Sequence, residues 1–151
     1  LFMISNRIKN ICSYIPPYKK IADVGCDHGY LIKEAIDKYK IIEAYAIDNK
    51  IGPLNSAKKN LSVYKNVKYF LSDGLDSLDE SIEVVVIAGM GGILIKDIIH
   101  KNLNKINNVK RFILQANKNE YELRDFMQKI GYFFVSEKII FEDSKYYEII
   151  V

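Results

Sequence analysis

Hydrophobic residues recur along this chain with a helical period and with short continuous runs, and the two patterns alternate. The apolar positions of residues 4–15 fall at helical spacing, which predicts a leading amphipathic helix. Pro16-Pro17 ends this helix, and the apolar run at 21–24 predicts a short buried strand. Later apolar runs predict strands at 43–47, 67–71, 83–88 and 111–115. The segments between them predict helices at 30–39, 54–61, 93–103 and 120–130.

The C-terminal segment breaks this alternation. Two β-rich runs, residues 132–141 and 146–151, are joined by the turn sequence at 142–145, which predicts a hairpin rather than another crossover. Alternating strands and helices followed by a terminal hairpin predict an α/β fold whose sheet is mostly parallel and carries one antiparallel strand.

The loop after the first predicted strand carries the most informative chemistry. Gly25 and Gly29 let the backbone turn tightly where the strand gives way to a helix, and let it approach a ligand closely. Asp23 and Asp27 place carboxylates beside that turn, which would repel a pyrophosphate. The spacing also departs from the Gly-x-Gly-x-x-Gly pattern of dinucleotide sites. A cofactor with a positive centre fits better, and S-adenosylmethionine (SAM) carries a sulfonium and an ammonium group.

Acidic or glycine-rich loops follow the next three predicted strands, and the carboxyl ends of parallel strands meet at one edge of a sheet. Asp48 lies about 20 residues after the first loop, where doubly wound folds use a carboxylate to bind a ribose; the alternative is a capped turn. Asp73 is a candidate partner for an adenine amino group, although Ser72-Asp73-Gly74 is also an ordinary turn sequence. Gly-Met-Gly-Gly at 89–92 indicates a planar base or the methyl donor against the backbone, with a tight turn as the alternative.

Composition limits the class of protein. A length of 151 residues with 49% apolar content suits one domain, and we expect residues 1–151 to form it. The net charge of +3 and pI near 8.7 are compatible with nucleic acid without requiring it. Two isolated cysteines match neither a metal-ligand pattern nor a disulfide framework. No apolar run reaches the ~18 residues of a membrane span. We therefore expect a cytoplasmic, metal-free monomer without a membrane anchor.

Several motifs in order along nearly the whole chain resemble the bacterial tRNA methyltransferases that act on N1 of the D-arm adenine at tRNA position 22. They are Ala-Asp-Val-Gly-Cys-Asp-His-Gly-Tyr-Leu at 22–31, Asp48 with Gly52-Pro53-Leu54, Ser-Asp-Gly-Leu at 72–75, Ala-Gly-Met-Gly-Gly at 88–92, Phe112 to Gln115, Leu123-Arg124, and Lys145 to Ile150. The resemblance implies a class I SAM-dependent methyltransferase with a Rossmann-like, mostly parallel seven-stranded sheet, a C-terminal antiparallel strand and tRNA as its partner.

The resemblance also assigns roles to positions. The loop at 23–29 would hold the methionine end of SAM, Asp48 the ribose and Asp73 the adenine, while the loop at 89–92 would face the target base. The implied cofactor-binding residues are Asp23, Gly25, Cys26, Gly29, Asp48, Asn49, Asp73, Gly74, Ala88 and Gly89. The implied catalytic residues are Asp27, Met90 and Gly91.

Methyl transfer to adenine N1 needs no strong base, because N1 has an in-plane lone pair, so positioning should dominate the rate. The adenine becomes cationic as the methyl arrives, and Asp27 is the candidate carboxylate to stabilise it; the alternative is a structural hydrogen bond to the turn. A paired base must be unstacked, with Tyr30 as a candidate stacking partner or a packing residue. His28 is a candidate for orienting the loop. Candidate phosphate contacts are Arg7, Lys9, Lys19 and Lys20.

Two departures from the family stand out. Family members usually continue into a helical extension thought to help hold tRNA, whereas this sequence ends at Val151, so we expect a SAM-binding domain without it. Ala116 stands where the family commonly has a proline, which predicts a less rigid loop after the fifth strand. Three alternatives remain open: a methyltransferase for another RNA or a small molecule, a silent SAM- or RNA-binding module, and a nicotinamide-dependent oxidoreductase, which the acidic loop disfavours.

Overall fold

The computed structural model describes residues 3–151, whose strands and helices alternate up to the C-terminal hairpin. The strands are β1 (Lys20–Val24), β2 (Glu43–Asp48), β3 (Val67–Leu71), β4 (Val84–Met90), β5 (Arg111–Ala116), β6 (Glu137–Glu142) and β7 (Lys145–Ile150). The helices are α1 (Asn6–Ser13), α2 (Tyr30–Lys38), α3 (Ile51–Asn60), α4 (Gly92–His100) and α5 (Glu120–Lys129), with a 3-10 turn at Leu103–Lys105. Within residues 3–151, none of the helices combines the length and apolar character that crossing a bilayer requires.

The seven strands form one sheet in the order β3-β2-β1-β4-β5-β7-β6. Strands β1 to β5 are parallel, and β7 runs antiparallel to both β5 and β6. This confirms the predicted α/β fold with a mostly parallel sheet and a reversed strand near the C-terminus. The strand order reverses direction between β1 and β4, and in open α/β sheets ligands bind at the carboxyl ends of the strands beside such a switch point.

Apolar side chains fill both faces of the sheet. On one face, Ile21 of β1 packs in a buried cluster with Ile11 of α1 and Ile32 of α2. On the other face, Val24 packs in a second cluster with Ile95 of α4. Because side chains alternate along a strand, Asp23 shares the face of Ile21 and points toward the α1 and α2 layer. The sheet therefore places a carboxylate in a largely apolar layer.

Helix α3 and the C-terminal hairpin differ from the sequence prediction at their first residues. Helix α3 begins at Ile51 rather than at 54, because Pro53 lies in its first turn, where the missing N–H is not needed. The prediction of a strand from residue 132 is wrong, since β6 begins at Glu137. Before it, Val135 donates its N–H to the Val151 carbonyl at 2.7 Å, and Phe133 is 80% exposed. The segment 132–136 therefore runs along the end of the hairpin instead of extending the strand.

Two further strand and helix ends differ from the prediction. Strand β4 runs through Gly89 and Met90, with a register irregularity between Ala88 and Met90. Helix α4 ends at His100, three residues before its predicted end, and the 3-10 turn follows at Leu103–Lys105. The irregularity in β4 lies at the edge where the candidate site residues converge.

Candidate active site

A cleft of about 540 Å³ opens at the carboxyl ends of β1, β2 and β4 and is flanked by α1; we call it the main cleft. Its walls come mainly from the loops after β1, β2 and β4, three of the four acidic or glycine-rich loops predicted from the sequence, together with the first helix. The predicted site residues that line it are Asp23, Gly25, Cys26, Asp27, Asp48, Asn49, Ala88, Gly89 and Met90. Residues far apart in the chain thus converge on one concave surface.

A smaller cavity of about 80 Å³, the side cavity, adjoins the main cleft. Asp73 and Gly74 line it beside apolar residues of β1, β2 and α4. The two spaces share the wall residues Gly25, Asp48, Asn49 and Met90. Gly25 has a φ of +76°, and a Cβ at this position would lie 2.7 Å from the Met90 Cε atom. A side chain at this position would therefore displace Met90 from the wall that the two spaces share.

Backbone hydrogen bonds fasten the β1 loop to β2. The N–H groups of Gly25 and Cys26 both donate to the Ile47 carbonyl, at 2.8 and 3.0 Å. Asp27 adopts a left-handed φ of 48°, uncommon for a residue with a side chain, and its N–H donates to the Asp48 carboxylate at 3.1 Å. This strained conformation leaves the Asp27 side chain 67% exposed at the cleft, where its carboxylate is accessible to a second ligand.

The buried carboxylate of Asp48 links the loops after β1 and β2. One oxygen accepts the Asp27 N–H at 3.1 Å, and the other accepts the Lys50 N–H at 3.0 Å. Asp48 is 8% exposed, and each carboxylate oxygen has a second acceptor position. Its geometry therefore suits two additional donors, such as the adjacent hydroxyl groups of a ribose.

Asp23 gives the main cleft its electrostatic character. Burial, with a smaller contribution from the nearby carboxylates of Asp48 and Asp27, raises the pKa of its carboxyl to about 7, although the Arg7 guanidinium acts in the opposite direction. A cationic ligand group beside Asp23 would favour the ionised form. The surroundings of Asp23 thus disfavour its ionised form, and a bound cation would favour that form.

Arg7 lines the main cleft, a position that the sequence did not predict, since it indicated this residue only as a phosphate contact. Its Nη1 donates to the Oε1 atom of Gln115 at 2.9 Å, and its guanidinium carbon lies 5.0 Å from the centroid of the Tyr147 ring. The available signal was helical spacing, because Arg7 lies four residues before the buried Ile11 and on the same side of α1. The cleft therefore has an anion-binding group as well as carboxylates.

The remaining predicted residues lie outside the two cavity walls. Gly29 caps α2 with a φ of +79°, and a Cβ there would lie 2.8 Å from the Leu61 side chain, so this glycine permits close packing of α2 on α3. Gly91 caps α4, where an added Cβ would lie 3.3 Å from the flexible Lys118 side chain. Their predicted roles in cofactor binding and catalysis remain predictions.

The structure separates the basic candidates. Lys19 and Lys20 lie at the amino end of β1, across the sheet from Arg7, and Lys9 is exposed on α1. The four residues do not form one patch. Tyr30 lines the main cleft, with its ring centroid 5.6 Å from that of His28, whose Nδ1 lies 2.7 Å from the Ser56 hydroxyl. A stacking surface thus lies beside Asp27, while the basic residues offer no continuous phosphate-binding surface.

The cysteine side chains contribute no charge to the site. Cys12 and Cys26 are free and buried, and burial raises the pKa of both thiols well above the usual range, with Asp23 adding to the effect. Among residues 3–151, no group of three or more His, Cys, Asp or Glu side chains is arranged to hold a metal ion. Among the described residues, the main cleft therefore combines carboxylates and backbone groups with the side chains of Arg7, Lys50 and His28.

Known proteins resemble this chain in sequence. The sequence model of the family described as a methyltransferase domain matches residues 4–150. The chain is 33% identical over 152 residues to the tRNA (adenine(22)-N(1))-methyltransferase of Bacillus subtilis. That match covers 98% of this chain but 64% of the relative, so the chain spans less than two thirds of its length.

Solved structures resemble the whole described fold. Streptococcus pneumoniae Sp1610, in complex with S-adenosyl-L-methionine, matches with a TM-score of 0.93 and 38% identity over 98% of this chain and 72% of that one. M. capricolum TrmK, in complex with S-adenosyl-homocysteine, matches with a TM-score of 0.88 and 30% identity over 99% of this chain and 68% of that one. Both similarities extend across the main cleft and the side cavity.

Proposed function

Because the chain belongs to the methyltransferase-domain family, and within it to the bacterial tRNA (adenine(22)-N1)-methyltransferases, we propose that it methylates N1 of the adenine at tRNA position 22 with SAM as methyl donor. The observation that carries this proposal is the junction at Asp48, where a charged cleft and a smaller, more apolar cavity share one wall. We further propose that residues 1–151 act as a single SAM-binding domain and that the reaction takes place in the cytoplasm.

The residues of the two spaces fit SAM group by group. Asp23 and Arg7 offer opposite charges to the ammonium and carboxylate of its methionine end. Asp48 offers acceptor positions to the ribose hydroxyls. Asp73 lies at the side cavity, whose walls include Leu94, and suits an adenine ring with its amino group. When bound, SAM supplies an electrophilic methyl group on its sulfonium.

The acceptor base belongs at the exposed side of the main cleft. Tyr30 offers a ring for stacking an unpaired adenine, and the Gly89–Met90 turn offers a surface without bulky side chains at Gly89. Asp27 is accessible there and does not have to act as a base, since adenine N1 already has a lone pair. Its carboxylate stabilises the positive charge that develops on the adenine, more than it stabilises the neutral base. Met90 and Gly91 continue the same turn into α4 and complete the proposed catalytic set.

The first test is methyl transfer from labelled SAM to unmodified tRNA by the full chain. We expect methylation of the wild-type transcript and none when adenine 22 is replaced by guanine. Asp27→Ala should lower kcat by about 10- to 100-fold with the SAM dissociation constant within about twofold of wild type, because Asp27 acts on the transition state. Asp125→Ala, which removes a carboxylate on the exposed side of α5, is the matched control and should leave both values unchanged.

The other outcomes separate the alternatives. Methylation that persists on the guanine-22 transcript would move the reaction to another nucleotide and contradict the proposed position. Tight SAM binding without methylation of any tRNA would contradict the proposed activity and favour a silent binding module. Failure to bind SAM would contradict both.

A further inference from the structure

A buried amide connects the two sides of the main cleft. Gln115 on β5 is 1% exposed, and its Oε1 accepts two hydrogen bonds, from Arg7 Nη1 at 2.9 Å and from the Gly89 N–H at 3.0 Å. Its Nε2 donates to the Asn117 Oδ1 at 3.1 Å, and Asn117 Nδ2 donates to the Gly89 carbonyl at 3.0 Å. The N–H and the carbonyl of Gly89 are therefore both hydrogen-bonded, to Gln115 and Asn117, and Arg7 is hydrogen-bonded to the same Gln115 amide.

This arrangement has two arms that meet at Gln115. The first arm leads to Arg7, which α1 places beside Asp23 in the main cleft. The second arm leads through Asn117 to the Gly89 carbonyl and fixes the turn that continues into Met90. A Cβ on Gly89 would lie 3.9 Å from Arg7 Nη1, so the two arms converge on adjacent parts of the cleft. A change at Gln115 therefore disturbs both parts at once.

Chemistry explains why an amide suits this position. A carboxylate could accept both hydrogen bonds but could not donate to Asn117, and it would add a negative charge near Asp23. An apolar side chain would leave the Gly89 N–H and the Arg7 guanidinium without their buried acceptor, which is costly for both groups. An amide supplies acceptor and donor without net charge.

We propose that Gln115 is a positioning residue that holds Arg7 toward the methionine carboxylate of SAM and, through Asn117, holds the Gly89–Met90 turn toward the target base. The inference rests on the proposed function, since it assigns the Arg7 side to the cofactor and the Gly89 side to the acceptor. The amide touches neither ligand and acts only through these neighbours. Affinity for SAM and the rate of transfer should thus depend on separable arms of one network.

The test compares Gln115→Met, Arg7→Ala and Asn117→Ala. The SAM dissociation constant is measured by calorimetry without tRNA, and kcat is measured with both substrates saturating. Arg7→Ala should weaken SAM binding by about tenfold or more, through loss of a charge-assisted contact. Asn117→Ala should keep SAM affinity within about twofold and lower kcat by about tenfold, because it releases only the turn. Gln115→Met, which keeps the side-chain volume, should weaken SAM binding and lower kcat together.

A double-variant cycle distinguishes positioning of Arg7 by Gln115 from a nonspecific destabilisation of the fold. In the Arg7→Ala background, Gln115→Met should weaken SAM binding no further and should still lower kcat, because the binding arm is already absent. The proposal would be overturned if Arg7→Ala and Gln115→Met had additive effects on SAM affinity. It would also be overturned if Gln115→Met alone left SAM affinity unchanged.

A matched control uses Asn102→Ala, which removes a buried amide that bonds to the Ile98 carbonyl away from the main cleft. It should lower thermal stability without changing SAM affinity or kcat. If all variants lost affinity in proportion to their loss of stability, the role of Gln115 would be structural only. Absence of tRNA methylation by the wild type would instead refute the proposed function, while the calorimetric cycle would still decide whether Gln115 supports Arg7.

Discussion

The two edges of the sheet are built in opposite ways. At the carboxyl edge, the loops bring Asp23, Asp27 and Asp48 together around the main cleft, and three residues of the β1 loop, Gly25, Asp27 and Gly29, have positive φ. At the amino end of β5, a cavity of about 190 Å³, the distal cavity, is lined largely by aromatic and aliphatic side chains. Like charges lie close together at the carboxyl edge, whereas apolar side chains pack at the amino edge. We therefore expect the carboxyl edge to determine SAM binding and the amino edge to determine the stability of the fold.

The Arg111 guanidinium beside the distal cavity has its partners within the protein. Arg111 donates through Nη1 to the carbonyls of Tyr14 and Pro16 at 2.9 and 3.1 Å, and its guanidinium lies 5.1 Å from the Tyr18 ring. Asp23 in the main cleft has no such balance, because burial and neighbouring carboxylates oppose its charge and only Arg7 favours it. We therefore take the unsatisfied charge of Asp23, rather than the apolar lining of the distal cavity, as the mark of the edge where we propose that SAM binds.

The largest expected effect is on stability at the distal cavity. Phe112 is 4% exposed and contacts the Tyr132 ring edge-on, with centroids 5.0 Å apart. Phe112→Ala should lower the free energy of unfolding by about 3–5 kcal/mol, as expected for truncating a buried aromatic residue. Urea denaturation measures this loss, and calorimetry under folding conditions should give an unchanged SAM dissociation constant.

Phe133→Ala is the control for that prediction. Phe133 lines the same cavity but is 80% exposed, so its truncation should change stability by less than about 0.5 kcal/mol. A large change in SAM affinity for Phe112→Ala would break the division between the two edges.

The next effect, on binding, is expected at Asp48. Asp48→Ala removes the proposed acceptor of two ribose hydroxyls, and hydrogen bonds to a charged group contribute about 1.5–3 kcal/mol each. We therefore expect SAM to bind at least about 100-fold more weakly, measured by calorimetry. Asp73→Ala, at the exposed side of the side cavity, should have a smaller effect. Equal effects at the two positions would contradict the assignment of Asp48 to the ribose.

Much of the main cleft could be predicted from sequence because it follows from local rules. The apolar runs end at Asp48, at Asp73 and at the Gly89–Gly92 turn, and in a parallel sheet these ends share one edge. The positive φ at Gly25 also follows from local sequence, because a glycine in a strand-to-helix turn indicates such a backbone conformation.

Arg7 and Gln115 could not be found in this way, since their contact spans 108 positions of the chain. Helical spacing identifies the side of α1 on which Arg7 lies, but not the strand end that this side covers. The wrong strand at 132–136 has a similar cause. Its aromatic residues favour strand structure, yet the ladder between β6 and β7 begins at Glu137, opposite Ile150, and the N–H groups of Val135 and Ser136 both bond to the Val151 carbonyl instead.

Asp23→Asn should separate stability from binding at a single position. The carboxyl pKa is raised from 3.8 to about 7 in the folded protein, so the unfolded chain releases this proton first as the pH rises. Wild-type stability therefore falls between about pH 4 and pH 7, and the neutral variant escapes this loss. Its stability relative to wild type should grow by about 2 kcal/mol between pH 5 and pH 8, measured by urea denaturation at each pH. SAM affinity should fall in the same variant. If Asp23→Asn were instead less stable than wild type at pH 8, this would contradict the destabilisation that we assign to the ionised Asp23 carboxylate.

The smallest expected effect is the pH dependence of SAM binding. Below pH 7, Asp23 in the free protein is mostly protonated, so binding a cationic ammonium must release a proton. Wild-type affinity should therefore increase by about tenfold from pH 5.5 to pH 7, a range below the ordinary titration of an α-amino group. Asp23→Asn should remove this dependence. Histidine titrates in the same range, so His28→Gln is the control and should retain it. A flat wild-type profile, or a slope that disappears with His28 rather than Asp23, would assign the charge sensitivity of the main cleft to a different group.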